Sequence, residues 1–487
     1  MRRGPFVFTF LGLLASFGAF GISCSTAGPE SGPADGAAGA DGGTDVALPD
    51  PEDVPDDAYP AETTLTEGTC ATDRAKAYAP VTPANCDGKR TCIDGRQRVW
   101  VRGAPFFARG VYNGGSEWKK VAENCPAGAA CASTNPTTPA AFVATLASGG
   151  FNLVMERTRY LPAAMLDAVH ADPKVAFAHL LWSDPFTEEG HAGLVAEIEA
   201  AAKDDDVVMW FGPDEVDLNA NFHDAVGIRR ILRGSSPTID RALATTYAPP
   251  KPNPFLPADE PAHDPHGLPF GAALAFDRGL SQGTNFYDVL LPITYPIKTA
   301  RSQVNRSDWA TTRTRTFGSK GAPVFPILQM VGIPEMELAQ PSPAQLRALV
   351  AGAVVNGARG LFYYTLTSDK PKLAGRDGFF AADDAKAWAV YAEMHAFVDA
   401  LVPAMYVATD EAFGEGSTLE WRTFVVGPRR VVVVSNPTSQ PVAFDVDLAL
   451  GRARGERVRS FPGCESVTAR GVTLEGYGMA AYEVLTP

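Results

Sequence analysis

Short, nearly unbroken apolar runs recur along the middle of this chain, with helically spaced stretches between them. They lie at Phe106–Tyr112, Phe151–Glu156, Val175–Leu181, Val207–Phe211, Ala242–Tyr247, Val289–Thr294, Val324–Gln329 and Gly360–Thr365. Runs of this length without polar alternation suit strands buried on both faces, as in a parallel sheet. Ser342-Pro343-Ala344-Gln345 opens one intervening helix, with a cap serine, proline at the first helical position and glutamine at the third. After the eighth run, Trp388, Tyr391, Met394, Val398 and Leu401 recur at helical spacing. Eight strands, each followed by a crossover, predict an α/β fold of the (β/α)8 TIM-barrel type. The alternative is a doubly wound open sheet, but no Gly-rich phosphate loop follows any strand as a dinucleotide site would need.

From about residue 404 the pattern changes. Arg422–Val426, Arg430–Val434, Ala443–Val446 and Gly478–Leu485 are strand-like and divided by Gly-Pro and Asn-Pro turns. They predict a small antiparallel β-sandwich over 404–487, after a barrel over 101–403. Residues 98–107 form a hairpin pattern around Gly103-Ala104, at the end of a Cys-containing segment, 66–100.

The N-terminus adds a destination. Arg2 and Arg3 precede an apolar stretch, Phe6 to Ile22, which reads as an export signal over 1–23. Residues 24–65 are rich in Gly, Ala, Pro and Asp and cannot bury a core, so they read as a disordered acidic tether. The seven cysteines are 24, 70, 86, 92, 125, 131 and 464. With Cys24 set aside, six remain to pair in an oxidising compartment. Cys125 pairs with Cys131 across a short loop in this reading, and one of Cys70, Cys86 and Cys92 reaches Cys464. The formal net charge is −14 with pI near 5.0, which argues against nucleic acid as a partner. No C-x-x-C or HExxH pattern occurs, so neither a metal nor another cofactor is expected. Protein partners are left open.

The chemistry centres on Val207–Phe211, which runs through Gly212-Pro213 into Asp214 and Glu215. Carboxylates after the C-terminal end of a barrel strand sit where such folds keep their catalytic groups. The alternative is that both residues cap the following helix.

The chain resembles bacterial glycoside hydrolases of the large (β/α)8 clan, in an "Asp-Glu-Pro" type of branch. The resemblance rests on Val101–Val111, Gly150–Val154, Trp210–Glu215, Tyr295-Pro296, Pro323–Gln329 and Asn356–Tyr364. It implies hydrolysis of O-glycosidic bonds in a poly- or oligosaccharide, with Glu215 as general acid/base and Tyr295 beside the second carboxylate. Two positions depart from the pattern: Asp214 replaces an Asn that binds the sugar 2-hydroxyl, and Gln329 replaces the strand-seven Glu nucleophile. Glu335 and Glu337, just beyond, are then candidates for the second carboxylate, with Glu156 a third. Trp182, Tyr295, Tyr364 and Asn113 are candidate sugar contacts with Asp214 and Gln329; Tyr112, Trp118 and Tyr363 are further aromatic candidates. His179 is a hydroxyl-binding candidate or a satisfied core residue. Gly21-Ile22-Ser23-Cys24 resembles a bacterial lipobox, with Gly21 in a place usually held by an aliphatic residue. That implies lipidation of Cys24 and a membrane-anchored lipoprotein; cleavage near Gly21, giving an extracellular or periplasmic protein, and an uncleaved anchor are the alternatives. Against the hydrolase stand a non-catalytic carbohydrate-binding lipoprotein on the same fold, favoured by Gln329, and a different barrel hydrolase or lyase.

Overall fold

The structure is a computed structural model. It describes residues 67–112, 138–156, 163–181, 187–212, 242–247, 288–298, 322–334, 337–368, 379–416, 418–445, 456–467 and 471–486, with scattered positions between 228 and 316. The described residues fall within one compact unit, Asp56–Pro487.

Helix α1 (Glu67–Ala77) is followed by a three-stranded antiparallel sheet of β1 (Thr91–Ile93), β2 (Val99–Val101) and β3 (Ala104–Pro105). Then come β4 (Ala108–Tyr112), α2 (Pro139–Ser148), β5 (Leu153–Glu156), α3 (Ala163–Ala171), β6 (Ala176–Leu180), α4 (Glu188–Ala202), β7 (Val207–Phe211), β8 (Ala242–Tyr247) and β9 (Val289–Thr294). A one-turn helix α5 (Ala310–Arg313), β10 (Ile327–Gln329), α6 (Pro343–Val355) and β11 (Gly360–Tyr364) follow. Strands β4 to β11 are parallel neighbours in chain order, and β11 returns to pair with β4, which closes a barrel. All eight strands coincide with the apolar runs. The seventh is shorter than the run: Pro326 has no N–H to donate, so Val324 makes only an isolated bridge to Leu290 and the ladder starts at Ile327.

Alternation sorts the strand residues. Leu153, Met155, Ala178, Met209, Phe211, Leu291, Ile327 and Phe362 fill the barrel interior, while Val154, Phe177, Trp210, Leu328 and Tyr363 pack outward in the larger cluster shared with the helices. Interior space is tight. A Cβ on Gly110 would lie 2.6 Å from the Phe362 ring, so only glycine admits that ring. The α6 cap is the one its sequence predicts: Ser342 accepts from the Gln345 N–H and the Gln345 side chain accepts from the Ser342 N–H.

The N-terminal end of the barrel is plugged. Val99 belongs to the interior cluster, with Ile93, Val101 and Phe106 packed against it, and the Thr91 hydroxyl donates to the Val208 carbonyl. After the short hairpin of β12 (Thr367–Ser368) and β13 (Phe379–Phe380), the long helix α7 (Ala385–Val407) covers the outside of the barrel. Its His395 donates from Nδ1 to the Gly149 carbonyl and accepts at Nε2 from the Tyr363 hydroxyl at 2.7 Å.

The C-terminal strands are β14 (Asp410–Glu415), β15 (Glu420–Val426), β16 (Arg429–Ser435), β17 (Val442–Asp445), β18 (Arg457–Phe461), β19 (Gly471–Leu474) and β20 (Met479–Leu485). They form a five-stranded antiparallel sheet, β14-β15-β16-β20-β18, and a β17-β19 pair. Val432, Val434, Tyr482, Val442 and Phe444 share one apolar cluster. Cys70 is the cysteine that reaches Cys464, and Cys86 pairs with Cys92. Cys125, Cys131, the export segment and Cys24 lie outside the described residues.

Candidate functional site at the barrel mouth

With its N-terminal end plugged, the barrel offers chemistry at the C-terminal ends of its strands, where aromatic rings converge. Tyr112 ends β4, Phe211 ends β7, Tyr295 follows β9 and Tyr364 ends β11. Tyr112 meets Phe211 edge-on at 5.8 Å and Tyr364 at 5.6 Å, and Tyr364 meets Tyr295 at 5.8 Å with ring planes 31° apart. Below them Phe362 lies 6.2 Å from Phe211 and stacks on Phe325 at 6.4 Å. Tyr295 and Tyr364 are half-buried and Tyr112 is buried. The result is an aromatic wall over a filled lumen, rigid because each ring is braced by the next.

The segment after β10 forms the adjoining side. Ile333 and Leu338 exchange backbone hydrogen bonds of 2.9 and 3.0 Å, closing a hairpin in which the Glu337 N–H donates to the Pro334 carbonyl. Glu337 is exposed and holds φ at +57°, a left-handed conformation that costs a non-glycine residue energy and is met often at functional sites.

Of the candidates, the structure brings Tyr295 and Tyr364 into contact and puts Glu337 on the neighbouring hairpin. Asn113, Trp182, Asp214, Glu215 and Glu335 lie outside the described residues. Three readings need correction. Gln329 is 1% exposed and its carboxamide is engaged by backbone: Oε1 accepts from the Ile297 N–H, and Nε2 donates to the Ile297 and Ala339 carbonyls. It therefore holds chain rather than sugar. Glu156 is buried and in phase with Val154, on the outer side of β5, in register with His179. A period of two carries it away from the lumen that Leu153 and Met155 face. Tyr363 is outward for the same reason, under α7. His179 is a core residue, with Nε2 3.2 Å from Glu197 on α4. Phe211 and the bracing role of Tyr112 carry no local sequence signal beyond a strand-end aromatic.

Among the described residues one set, His170, Asp204 and Asp206, could hold a cation, its ligand atoms lying within 4.8 Å of one another. It sits at the opposite end of the barrel, and its members are already paired, His170 with Asp204 at 3.1 Å and Asp206 with Arg102 at 2.9 Å.

No family model and no curated protein matches the chain. Among solved structures it is similar to a glycoside hydrolase family 5 protein from Bacteroides vulgatus, at 11% identity over 84% of this chain and 95% of that one, with TM-score 0.49. A second glycoside hydrolase gives 11% identity over 82% and 97%, with TM-score 0.49. A family 27 β-L-arabinopyranosidase from Geobacillus stearothermophilus gives 10% over 78% and 97%, with TM-score 0.43.

Proposed function

We propose that the protein is an exported glycoside hydrolase that cleaves O-glycosidic bonds of a poly- or oligosaccharide at the C-terminal mouth of its (β/α)8 barrel. The observation that carries this reading is the pair of half-buried rings Tyr295 and Tyr364, braced from within by buried Tyr112, beside an acidic hairpin. Glu215 follows Phe211 by four residues, and a chain of that length spans at most about 14 Å. It is the general acid/base, donating a proton to the leaving oxygen. Glu337, or Glu335 beside it, is the second carboxylate. A separation of about 5–5.5 Å from Glu215 would make it the nucleophile, and about 6.5–9.5 Å would make it the base that activates water. Asp214, Asn113 and Trp182 complete the sugar contacts. The C-terminal strands form a β-sandwich behind the barrel, and lipidated Cys24 with the acidic tether anchors the protein to a membrane.

The test is sugar release by the purified protein from a broad glycan panel, beside Glu215→Gln. Release by the wild type that falls about 10³-fold or more in the variant supports the reading, that being the combined scale of general acid–base and electrostatic terms. The second reading, sugar binding without hydrolysis, is favoured by Gln329, which supplies no carboxylate at the end of β10. It predicts retained glycan binding with no release in either protein. Membrane fractionation of Cys24→Ser tests the anchor, since an unlipidated protein moves to the soluble fraction.

A further inference from the structure

We propose that Gln329 is a positioning residue: its carboxamide couples the segment after β9 to the hairpin after β10, and so sets the aromatic wall against the acidic hairpin. For catalysis the inference rests on the hydrolase reading above; the coupling itself does not.

Gln329 stands at the end of β10, buried beneath both segments. On one side Oε1 accepts from the Ile297 N–H at 3.0 Å and Nε2 donates to the Ile297 carbonyl at 3.0 Å. On the other, Nε2 donates to the carbonyls of Ala339 at 2.7 Å and Val331 at 3.3 Å. The backbone adds an Ala339 N–H to Ile297 carbonyl bond of 3.1 Å and an antiparallel bridge between Lys298 and Leu338. Gln340 closes the base of the hairpin by accepting from the Gly332 N–H at 2.9 Å and donating to the Met330 carbonyl at 3.1 Å. Gly332 has no room for a Cβ, which would lie 2.6 Å from the Gln340 nitrogen.

The site demands an amide. Three carbonyl oxygens and one N–H face this side chain, so it must both donate and accept. Glutamate would present acceptors to three acceptors, and an apolar residue would leave buried backbone groups unpaired. Tyr295 lies two residues before Ile297, and Glu337 one residue before Leu338. The carboxamide, together with the Ala339–Ile297 backbone bond and the Lys298–Leu338 bridge, therefore sets the relative position of the ring that braces Tyr364 and of the exposed carboxylate.

Hydrogen exchange and kinetics on the full-length protein test this, comparing wild type, Gln329→Leu and Tyr406→Phe. The Tyr406 hydroxyl donates to the Val99 and Phe106 carbonyls at the plugged end, so its loss destabilises the barrel far from the mouth. In Gln329→Leu, peptides covering 295–298 and 330–340 should both exchange at least about tenfold faster, while β4 and β7 keep their protection. Acceleration of one segment alone, or of neither, overturns the coupling. On the glycan that the wild type cleaves, kcat should fall about 10²-fold with KM little changed, the scale of a misplacement near 1 Å. Tyr406→Phe should leave kcat as it is. An unchanged kcat in Gln329→Leu overturns the positioning role. Where the wild type cleaves no glycan, the hydrolase reading fails and exchange alone decides the coupling. Gln329→Met, which keeps the side-chain length, replaces Gln329→Leu if that variant does not accumulate folded.

Discussion

The two ends of the barrel are finished by different chemistry. At the N-terminal end the fold is locked by charge. Glu411 on β14 pairs with Arg359, just before β11, and with Arg422 on β15, each at 2.8 Å. Arg422 also donates to the Val354 and Ala358 carbonyls at the C-terminal end of α6, where the helix dipole favours a cation. Nearby, Arg74 of α1 pairs with buried Glu483 at 2.9 Å, beside the Cys70–Cys464 bridge. At the mouth the described contacts are ring on ring and amide on backbone, with Glu337 exposed. The buried charges of the N-terminal end are paired, so removing one partner leaves the other uncompensated. The described contacts at the mouth engage neutral rings and a neutral carboxamide.

Variants at the locked end should therefore cost the most stability and the least activity. Glu411→Ala leaves two buried guanidinium groups without their anion and should lower stability by about 3–5 kcal/mol in denaturant unfolding. Cys70→Ser opens the bridge between α1 and the C-terminal sheet. It should cost about 2–5 kcal/mol, and reductant should lower the unfolding midpoint of the wild type more than that of the variant. Both should retain sugar release per folded molecule; a loss of activity larger than the loss of folded protein would erase the contrast between the ends.

The same lock gives a pH signature. Burial would raise the Glu411 carboxyl, but Arg422 and Arg359 bring it down to about 2. Its contribution is present above the unfolded value near 4.5 and is lost as pH falls from there toward 2. Burial lowers the His395 imidazole to about 3, so the folded protein takes up no proton there at pH 6. That contribution is present above the unfolded value of about 6.5 and is lost as pH falls toward 3, at a limiting slope of about 1.4 kcal/mol per unit. Unfolding free energy measured from pH 7 to 4 should decline, and His395→Gln should flatten the decline. An unflattened curve would assign the acid sensitivity elsewhere.

The smallest effect on stability belongs to the mouth. Glu337→Gly relieves a left-handed backbone and should leave stability equal or raise it by up to about 1 kcal/mol, while sugar release falls. A variant that loses both would make Glu337 a structural residue and blur the comparison.

Much of the scaffold is legible in the sequence because strand formation at these positions is local. Val207–Phe211 is apolar at every position, Ser342 and Gln345 carry a complete cap, and Pro326 marks where the seventh ladder must begin late. The candidate site is less legible. Tyr295 and Tyr364 stand out as strand-end aromatics, but nothing near either residue says that they touch. Glu156 looks as accessible as Glu215 in the sequence, and only the phase of β5 turns it outward. Gln329 reads as a catalytic glutamate gone missing. Its part in the fold depends on carbonyls at 297 and 339, which are brought to it by two other segments.

By itself, then, the sequence determined the elements: which stretches are doubly buried strands and where helices start. Period, capping and proline act within a few residues, so one segment suffices to read them. The tertiary structure alone decided that Cys70 is the partner of Cys464, which way Glu156 and Tyr363 face, and that a buried amide ties two loops together. Those outcomes depend on the register of eight strands around a closed ring, a property that no single segment carries.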